Sequence, residues 1–195
     1  MNTIVQDAQA PLRRQYTQTP ALAMITDHAR TCGTDPADPF HSRVEPMDGC
    51  GVVVAVGVHR AVGGLHDAPT PGDLLCAALA ACQDSAIRMV ANRLGIEIIA
   101  LEVRVTAQVD VRGALGMEAE VPVGFQSMTC DIHLKVKEGT PAKLLDVLRS
   151  AAQRCCVVQQ TLHQPPPITT RFNLSAQSSW PTFSMGELCR RESMQ

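Results

Sequence analysis

The sequence has few aromatic residues and almost no net charge. Its 195 residues include four Phe, one Trp and one Tyr, and 17 Lys and Arg stand against 19 Asp and Glu, a formal net charge of −2. Nucleic-acid binding depends on basic residues that neutralise phosphates, and single-strand binding on aromatic rings that stack with bases. We therefore expect no nucleic-acid partner.

Long apolar runs are also missing. The longest unbroken run covers residues 74–82, well short of the roughly 20 residues that a membrane-spanning helix needs. The first 20 residues contain no apolar segment of the kind found in signal peptides. We therefore expect a soluble, cytoplasmic protein with no membrane partner.

Cysteine is abundant, but its spacing is not that of a metal site. The eight cysteines include no C-x-x-C pair, and disulfide scaffolds are usually shorter, secreted chains, so we expect reduced thiols. Cys130 and His133 come closest to a metal pair. They fall on a predicted strand, where positions i and i+3 point to opposite faces. We therefore expect no metal and no cofactor.

The length suits one domain with extensions. Residues 1–40 form a polar, proline-punctuated N-terminal extension, in which 20–30 is compatible with a short helix. Sharper hydrophobic patterning defines a domain over residues 41–174, and residues 175–195 form a C-terminal tail that we expect to be weakly structured.

The strongest local signal is a helix over residues 71–94. Thr70 is a suitable N-cap with Asp73 three residues later, as in a capping box, and Gly95 is a suitable stop. Its apolar stripe is predicted to be Leu75, Ala78, Leu79, Cys82, Ala86 and Met89.

The rest of the domain is predicted to alternate strands with one more helix. An apolar strand is expected at 51–58, alternating strands at 96–111 and 128–137, a helix from Thr140 to about Arg154, and a last strand at 165–174. This order predicts an α+β fold with a mostly antiparallel sheet and two helices.

Taken alone, Cys82 on an apolar helix face reads as a small core residue. Cys155 and Cys156, which follow the basic Arg154, are compatible with a reactive thiol, a core position or a metal ligand. The residues by themselves leave these alternatives open.

Two segments resemble the OsmC/Ohr family of thiol-dependent peroxidases (osmotically inducible protein C and organic hydroperoxide resistance protein). Residues 70–98 are similar to the signature helix of this family, and their sequence is TPGDLLCAALAACQDSAIRMVANRLGIEI. The similarity consists of a helix-starting Pro, a leucine pair, an alanine run and Cys82 eleven residues after Pro71. CCVVQQTL (155–162) resembles the second signature, with Cys156 as its cysteine, although Val157 stands where the family often has Pro. The resemblance covers roughly residues 41–174.

The resemblance implies an OsmC-like fold and an intertwined homodimer with its active sites at the interface. It also implies a reaction: the Cys82 thiolate attacks the O–O bond of an alkyl or fatty-acid hydroperoxide, and Cys156 then closes a disulfide. An external dithiol, with a lipoyl protein as one candidate, completes the cycle.

In this family an arginine near the first cysteine stabilises the thiolate, and a Glu directly after the helix-starting Pro holds that arginine. Arg43 and Arg60 are the two candidates here, and Gly72 occupies the Glu position. Glu45 is a possible substitute, whereas Asp73 serves equally as a helix cap.

Other polar residues near these segments carry weaker expectations. Arg88 lies on a different helix face from Cys82 and is expected to be either structural or solvated, and His59 or His66 could line the mouth of a pocket. The alternative function is an OsmC-fold protein with little peroxidase activity, which binds a small apolar ligand or senses thiol redox state.

Overall fold

The computed structural model describes residues 4–47 and 49–174. Its helices are α1 (Ile4–Gln18), α2 (Pro71–Leu94), α3 (Val111–Ala114), α4 (Ala142–Cys155) and α5 (Val157–His163). Its strands are β1 (Ala29–Thr31), β2 (His41–Pro46), β3 (Val54–Gly57), β4 (Ile98–Gln108) and β5 (Ser127–Val136). The predicted α+β class with antiparallel sheets is confirmed. The tail at 175–195 lies outside the described residues.

The chain divides into two compact units. Among the described residues, the first contains 4–25 and 74–166, and the second contains 26–47, 49–73 and 167–174. Each unit has its own sheet, and each is described by itself below.

In the first unit, α2 and α4 pack against one face of the antiparallel β4–β5 pair. The register places Leu101 opposite Leu134 and Val105 opposite Cys130. Both strands alternate as predicted, except that Ile132 is exposed on the otherwise inward side of β5. The buried core residues are Leu79, Ala86, Ile87, Val90, Ala91, Ile96, Leu148, Ala152 and Cys156.

Helix α2 begins and ends at the predicted residues. At its start the backbone N–H of Thr70 donates to Asp73 Oδ2 at 2.8 Å, and the N–H of Asp73 donates to Thr70 Oγ1 at 3.2 Å. This reciprocal pair is the predicted capping box. By length and composition alone α2 is apolar enough to span a membrane, a test that core helices of globular proteins also pass; here its buried residues belong to the core of the first unit.

The buried stripe of α2 differs from the predicted one. Leu75 and Met89 are exposed, whereas the polar Gln83 is buried. The buried face of α2 is therefore rotated relative to the predicted one. Gln83, Ile87 and Val90 lie on the face that packs against the sheet and α4. An apolar side of α2 is therefore exposed among the residues that the structure describes.

The second unit contains the three-stranded antiparallel sheet β1–β2–β3. Arg30 lies opposite Glu45 across the β1–β2 pair, and Cys32 and Val56 are buried. Strand β3 is shorter than predicted, because residues 51–53 precede it without pairing and Gly51 has a φ of +75°.

Two predictions about the ends of the chain are wrong. Residues 20–30 form a 3₁₀ turn at Pro20–Ala23 and then enter β1, while the helix of this region is α1, at 4–18. Residues 165–174 form no strand and are exposed. Three consecutive prolines, 165–167, lack the N–H groups that a strand donates to its neighbour.

Candidate active site

Cys82 lies near the middle of helix α2 in the first unit, half-buried against the core. The helix is well defined at both ends, because the capping box holds its first turn and Gly95 adopts a φ of +70° just beyond its last residue. The cysteine is therefore carried on a rigid element rather than on a loop.

Cys156 joins helices α4 and α5. Its backbone N–H donates to the carbonyl of Ala152 at 3.1 Å, and its own carbonyl accepts from the N–H of Gln160 at 3.0 Å. The residue has an extended conformation between the two helices, and its side chain is fully buried. The chain thus turns at Cys156 and directs its sulfur into the core.

The thiols of Cys82 and Cys156 lie close together in this core, near enough for the Cys82 thiol to influence the pKa of Cys156. Burial raises the pKa of Cys156 to about 11; the Cys82 thiol and nearby Cys130 act in the same direction, against a hydrogen bond from the backbone N–H of Gln159. At neutral pH Cys156 therefore keeps its proton. Both are free thiols.

Cys130 on β5 is a third thiol in this neighbourhood. It packs against the same core cluster as Cys82 and Cys156. Its pKa is raised by burial and, to a smaller extent, by the charge of Asp131. His133 is exposed on the same strand, and the described residues contain no group of three or more His, Cys, Asp or Glu side chains suited to a metal ion.

Beside the cysteines, a chain of three polar side chains links α2 to α5. Gln83 Nε2 donates to Gln159 Oε1, and Gln159 Nε2 lies 3.4 Å from His163 Nε2. Only 1% of Gln83 is exposed, and its Oε1 has no hydrogen-bond partner within the described residues. The sequence signal was available, since Gln83 is an uncharged amide next to Cys82 at a core spacing from Leu79, but we did not predict its role.

A cavity of about 690 Å³ is lined in part by Gln83, Gln159 and His163. Its apolar lining residues are Leu75, Leu79, Phe125, Met128, Ile132 and Leu162. Gln83, Gln153, Gln159 and His163 contribute polar groups, and Cys130 contributes a thiol. The lining includes no Lys or Arg of the described chain.

The two predicted arginines belong to the second unit, whereas the two cysteines belong to the first. Arg43 is exposed on β2. Arg60 lies in the 3₁₀ turn at Arg60–Val62, where its Nη2 donates to the carbonyl of Leu65 at 3.4 Å. Which of them acts on Cys82 stays a prediction.

Glu45 holds an arginine, but that arginine is Arg30. The carboxylate is fully buried, and its Oε2 accepts from Arg30 Nε at 2.9 Å while its Oε1 accepts from the N–H of Gly51 at 3.3 Å. The Arg30 hydrogen bond holds the pKa of Glu45 below its usual range. Sequence patterning missed Arg30 because β1 is only three residues long.

At the family's Glu position, Gly72 offers no side chain. The adjacent Asp73 is engaged as the cap of α2, and hydrogen bonds from the Thr70 N–H and hydroxyl lower its pKa. Arg88 is exposed and pairs with Asp84, with Nε 2.6 Å from Oδ1, as expected of a solvated residue.

Three histidines of the second unit have close polar or ring contacts within that unit. His41 lies between Asp38 and Asp67, with nitrogen–oxygen distances of 2.7 Å and 3.1 Å. The Asp38 hydrogen bond, followed by that of Asp67, raises the pKa of His41. The rings of His59 and His66 are 4.2 Å apart; a place at the mouth of a pocket remains a prediction for them.

Sequence comparison matches residues 64–171 to the family described as OsmC-like protein. This match covers more than half of the chain and includes both Cys82 and Cys156. No curated protein matches the sequence.

Solved structures with the same fold come from several bacteria. An organic hydroperoxide resistance protein OsmC from Legionella pneumophila is 22% identical, with a TM-score of 0.53 over 72% of this chain and 91% of its own. An OsmC-like protein from Mycoplasma pneumoniae is 11% identical, with a TM-score of 0.57 over 72% of this chain and 89% of its own. An organic hydroperoxide resistance protein from Elizabethkingia anophelis is 18% identical, with a TM-score of 0.53 over 73% and 91%. At these identities the likeness establishes the fold.

Proposed function

Because this chain belongs to the OsmC-like protein family, we propose that it is a thiol-dependent peroxidase that reduces organic hydroperoxides to alcohols. Cys82 is the attacking thiol and Cys156 the resolving thiol. The observation that carries the proposal is the proximity of these two thiols in the core of the first unit.

In the first step the Cys82 thiolate attacks the outer oxygen of R–O–O–H. An S–O bond forms as the O–O bond breaks, so the sulfur loses two electrons and becomes a sulfenic acid. The alkoxide leaves and takes a proton from solvent to give the alcohol. Cys82 is the better nucleophile of the pair, because Cys156 has a pKa of about 11 and stays protonated.

In the second step the Cys156 sulfur displaces hydroxide from the sulfenic acid, which gives a Cys82–Cys156 disulfide and water. An external dithiol then reduces this disulfide by two exchange steps and leaves as its own disulfide. A lipoyl protein is a suitable donor of this class.

The cavity lined by Gln83, which follows Cys82 in the chain, and by Cys130 supports an organic rather than an inorganic peroxide. Its six large apolar side chains gain nothing from hydrogen peroxide, but they bury an alkyl or aryl group. We propose Arg43 or Arg60 as the cation that stabilises the Cys82 thiolate, since burial by itself disfavours a charged sulfur.

We propose that two copies of the chain associate through helix α2. Leu75, Ala78 and Met89 are exposed on this helix in the single chain, and the small alanine side chains of 77–81 permit a second helix to approach closely. The homodimer would cover this apolar face.

A second candidate function is binding of a small apolar ligand without efficient turnover. The cavity lining contains no cation among the described residues, and Gly72 supplies no carboxylate to hold an arginine. In this case Cys82 and Cys156 need not be oxidised and reduced at a catalytic rate.

One experiment separates the two. Reduced protein is mixed with one equivalent of cumene hydroperoxide and quenched within seconds by alkylation, and disulfides are mapped by mass spectrometry. We expect a Cys82–Cys156 bond in the wild type and none in Cys82→Ser, while Cys155→Ser, which alters the exposed neighbour of Cys156, behaves as wild type. No bond over minutes, or a bond that forms equally well without Cys82, would rule out the peroxidase.

A further inference from the structure

Gln83 is the one polar side chain among the buried residues of helix α2. It directly follows Cys82 in the chain, and only 1% of it is exposed. A buried amide costs stability unless its hydrogen bonds are satisfied. An apolar residue at this position would pack with the surrounding core at no such cost, so the amide requires an explanation.

The amide is half-satisfied. Its Nε2 donates to Gln159 Oε1, which fixes the orientation of the group and ties α2 to α5. Its Oε1 is buried and has no donor anywhere in 4–47 or 49–174. An acceptor left in this state is stabilised by any ligand that brings a hydrogen-bond donor to it.

The cavity supplies the place for such a ligand. Gln83 is one of its lining residues, together with apolar side chains such as Leu79, Met128 and Leu162. A volume of about 690 Å³ is within the range of small-molecule sites, in which a few polar groups set the orientation of a mainly apolar ligand. The lining contains no Lys or Arg of the described chain, which disfavours a carboxylate or phosphate at this end.

We propose that Gln83 is the hydrogen-bond acceptor of a binding site for apolar molecules that carry a hydroxyl group. The ligand's O–H donates to Gln83 Oε1 while its hydrocarbon part lies among the apolar lining residues. Gln159, and through it His163, holds the Gln83 amide in position.

This inference deepens the proposed function, on which it rests for the identity of the natural ligand. The terminal O–H of a hydroperoxide and the O–H of the alcohol product are both donors of the required kind. Gln83 then acts as a specificity-determining residue for ligands of this kind.

The test uses binding alone, without peroxide or turnover. Reduced, full-length protein is titrated by calorimetry with 2-phenyl-2-propanol and with its methyl ether, which has the same apolar part but no O–H. We expect the wild type to bind the alcohol about fivefold more tightly than the ether, the value of one ordinary hydrogen bond.

The same titrations on Gln83→Met test the residue itself, because methionine keeps the length of the side chain and removes the acceptor. We expect the alcohol preference to vanish in this variant and to persist in the control Gln164→Leu, which changes an exposed glutamine outside the lining. If Gln83→Met does not fold, Gln83→Leu takes its place, and the wild-type comparison of alcohol with ether still decides the question.

Equal affinity for alcohol and ether in the wild type would overturn the proposal, as would binding of neither at millimolar concentration. A preference that survives in Gln83→Met would also overturn it. The disulfide experiment above fails or succeeds independently, so an alcohol preference without disulfide formation would reject the peroxidase and retain the binding site.

Discussion

The thiol of Cys156, at the junction of two helices, lies close to the thiol of Cys82 on helix α2 in the core of the first unit. The two residues are far apart in the sequence. They lie close together because α2 and α4 pack on the same face of the β4–β5 pair, which brings the end of α4 to the middle of α2. Four predictions follow from this arrangement and its surroundings.

Replacing the resolving cysteine should stop the cycle at its first intermediate. In Cys156→Ser the sulfenic acid on Cys82 has no partner thiol, so a dimedone adduct should accumulate to about one per chain after one equivalent of cumene hydroperoxide. Steady-state turnover with a dithiol should fall at least tenfold. The control Cys155→Ser should give little adduct, and an adduct equal in wild type and Cys156→Ser would contradict the assignment.

The stability of the reduced protein should fall at alkaline pH because of Cys156. Its folded-state pKa of about 11 lies above the ordinary value of 9.0, so the folded state retains the proton while the unfolded state loses it. The resulting stabilisation is complete below pH 9 and is lost as pH rises through 11; it amounts to about 3 kcal/mol.

Urea unfolding at pH 8 and pH 10.5, under reducing conditions, measures this effect. Cys156→Ala should show a smaller loss of the free energy of unfolding between these pH values than the wild type. Cys155→Ala, which removes an exposed thiol, should follow the wild type. Identical pH dependence in wild type and Cys156→Ala would show that the Cys156 pKa is not raised.

One of the two predicted arginines should set the reactivity of Cys82. We expect either Arg43→Ala or Arg60→Ala to lower the second-order rate constant with cumene hydroperoxide by about tenfold or more, since a nearby cation favours the thiolate. Stopped-flow oxidation under single-turnover conditions measures this constant. Arg88→Ala, which removes an exposed arginine paired with Asp84, is the control. Unchanged rates in both variants would rule out the two candidates.

The core beneath the cysteines should depend on Leu148 of α4. Only 2% of this side chain is exposed, whereas 43% of the adjacent Val147 is. Leu148→Ala should lower the free energy of unfolding by about 2 to 5 kcal/mol, because it removes buried methyl groups and leaves a cavity. Val147→Ala should cost under about 1 kcal/mol. Equal effects in denaturant titrations would mean that α4 does not pack as described.

Local signals determined what the sequence could predict. Helix α2 was located correctly because Thr70, Asp73 and Gly95 act within a few residues of its ends. The alternating burial of β4 was predicted correctly because the polarity of each side chain indicates which face of the strand it occupies. Helix α1 was missed because its residues are mostly polar and Pro11 interrupts it, so no apolar stripe marks it.

The rest depends on contacts between segments distant in the chain. The pairing of Arg30 with Glu45 requires the register of β1 on β2, and that of Gln83 with Gln159 requires α5 to lie beside α2. No periodicity within either segment encodes such a pairing. The same reasoning explains why the strand predicted at 165–174 was wrong. The prediction used the composition of this segment alone, and no strand among the described residues pairs with it.

The proximity of Cys82 and Cys156 also sets the fate of an oxidised sulfur under heavy peroxide load. In the proposed cycle the sulfenic acid partitions between closure onto Cys156, which is first order, and attack by a second peroxide, which is proportional to peroxide concentration and yields an irreversible sulfinic acid. A thiol already held beside Cys82 gives closure a high effective molarity. The ratio of the two rate constants is a concentration, and it defines the peroxide level at which the protein changes from a catalyst to a consumable scavenger.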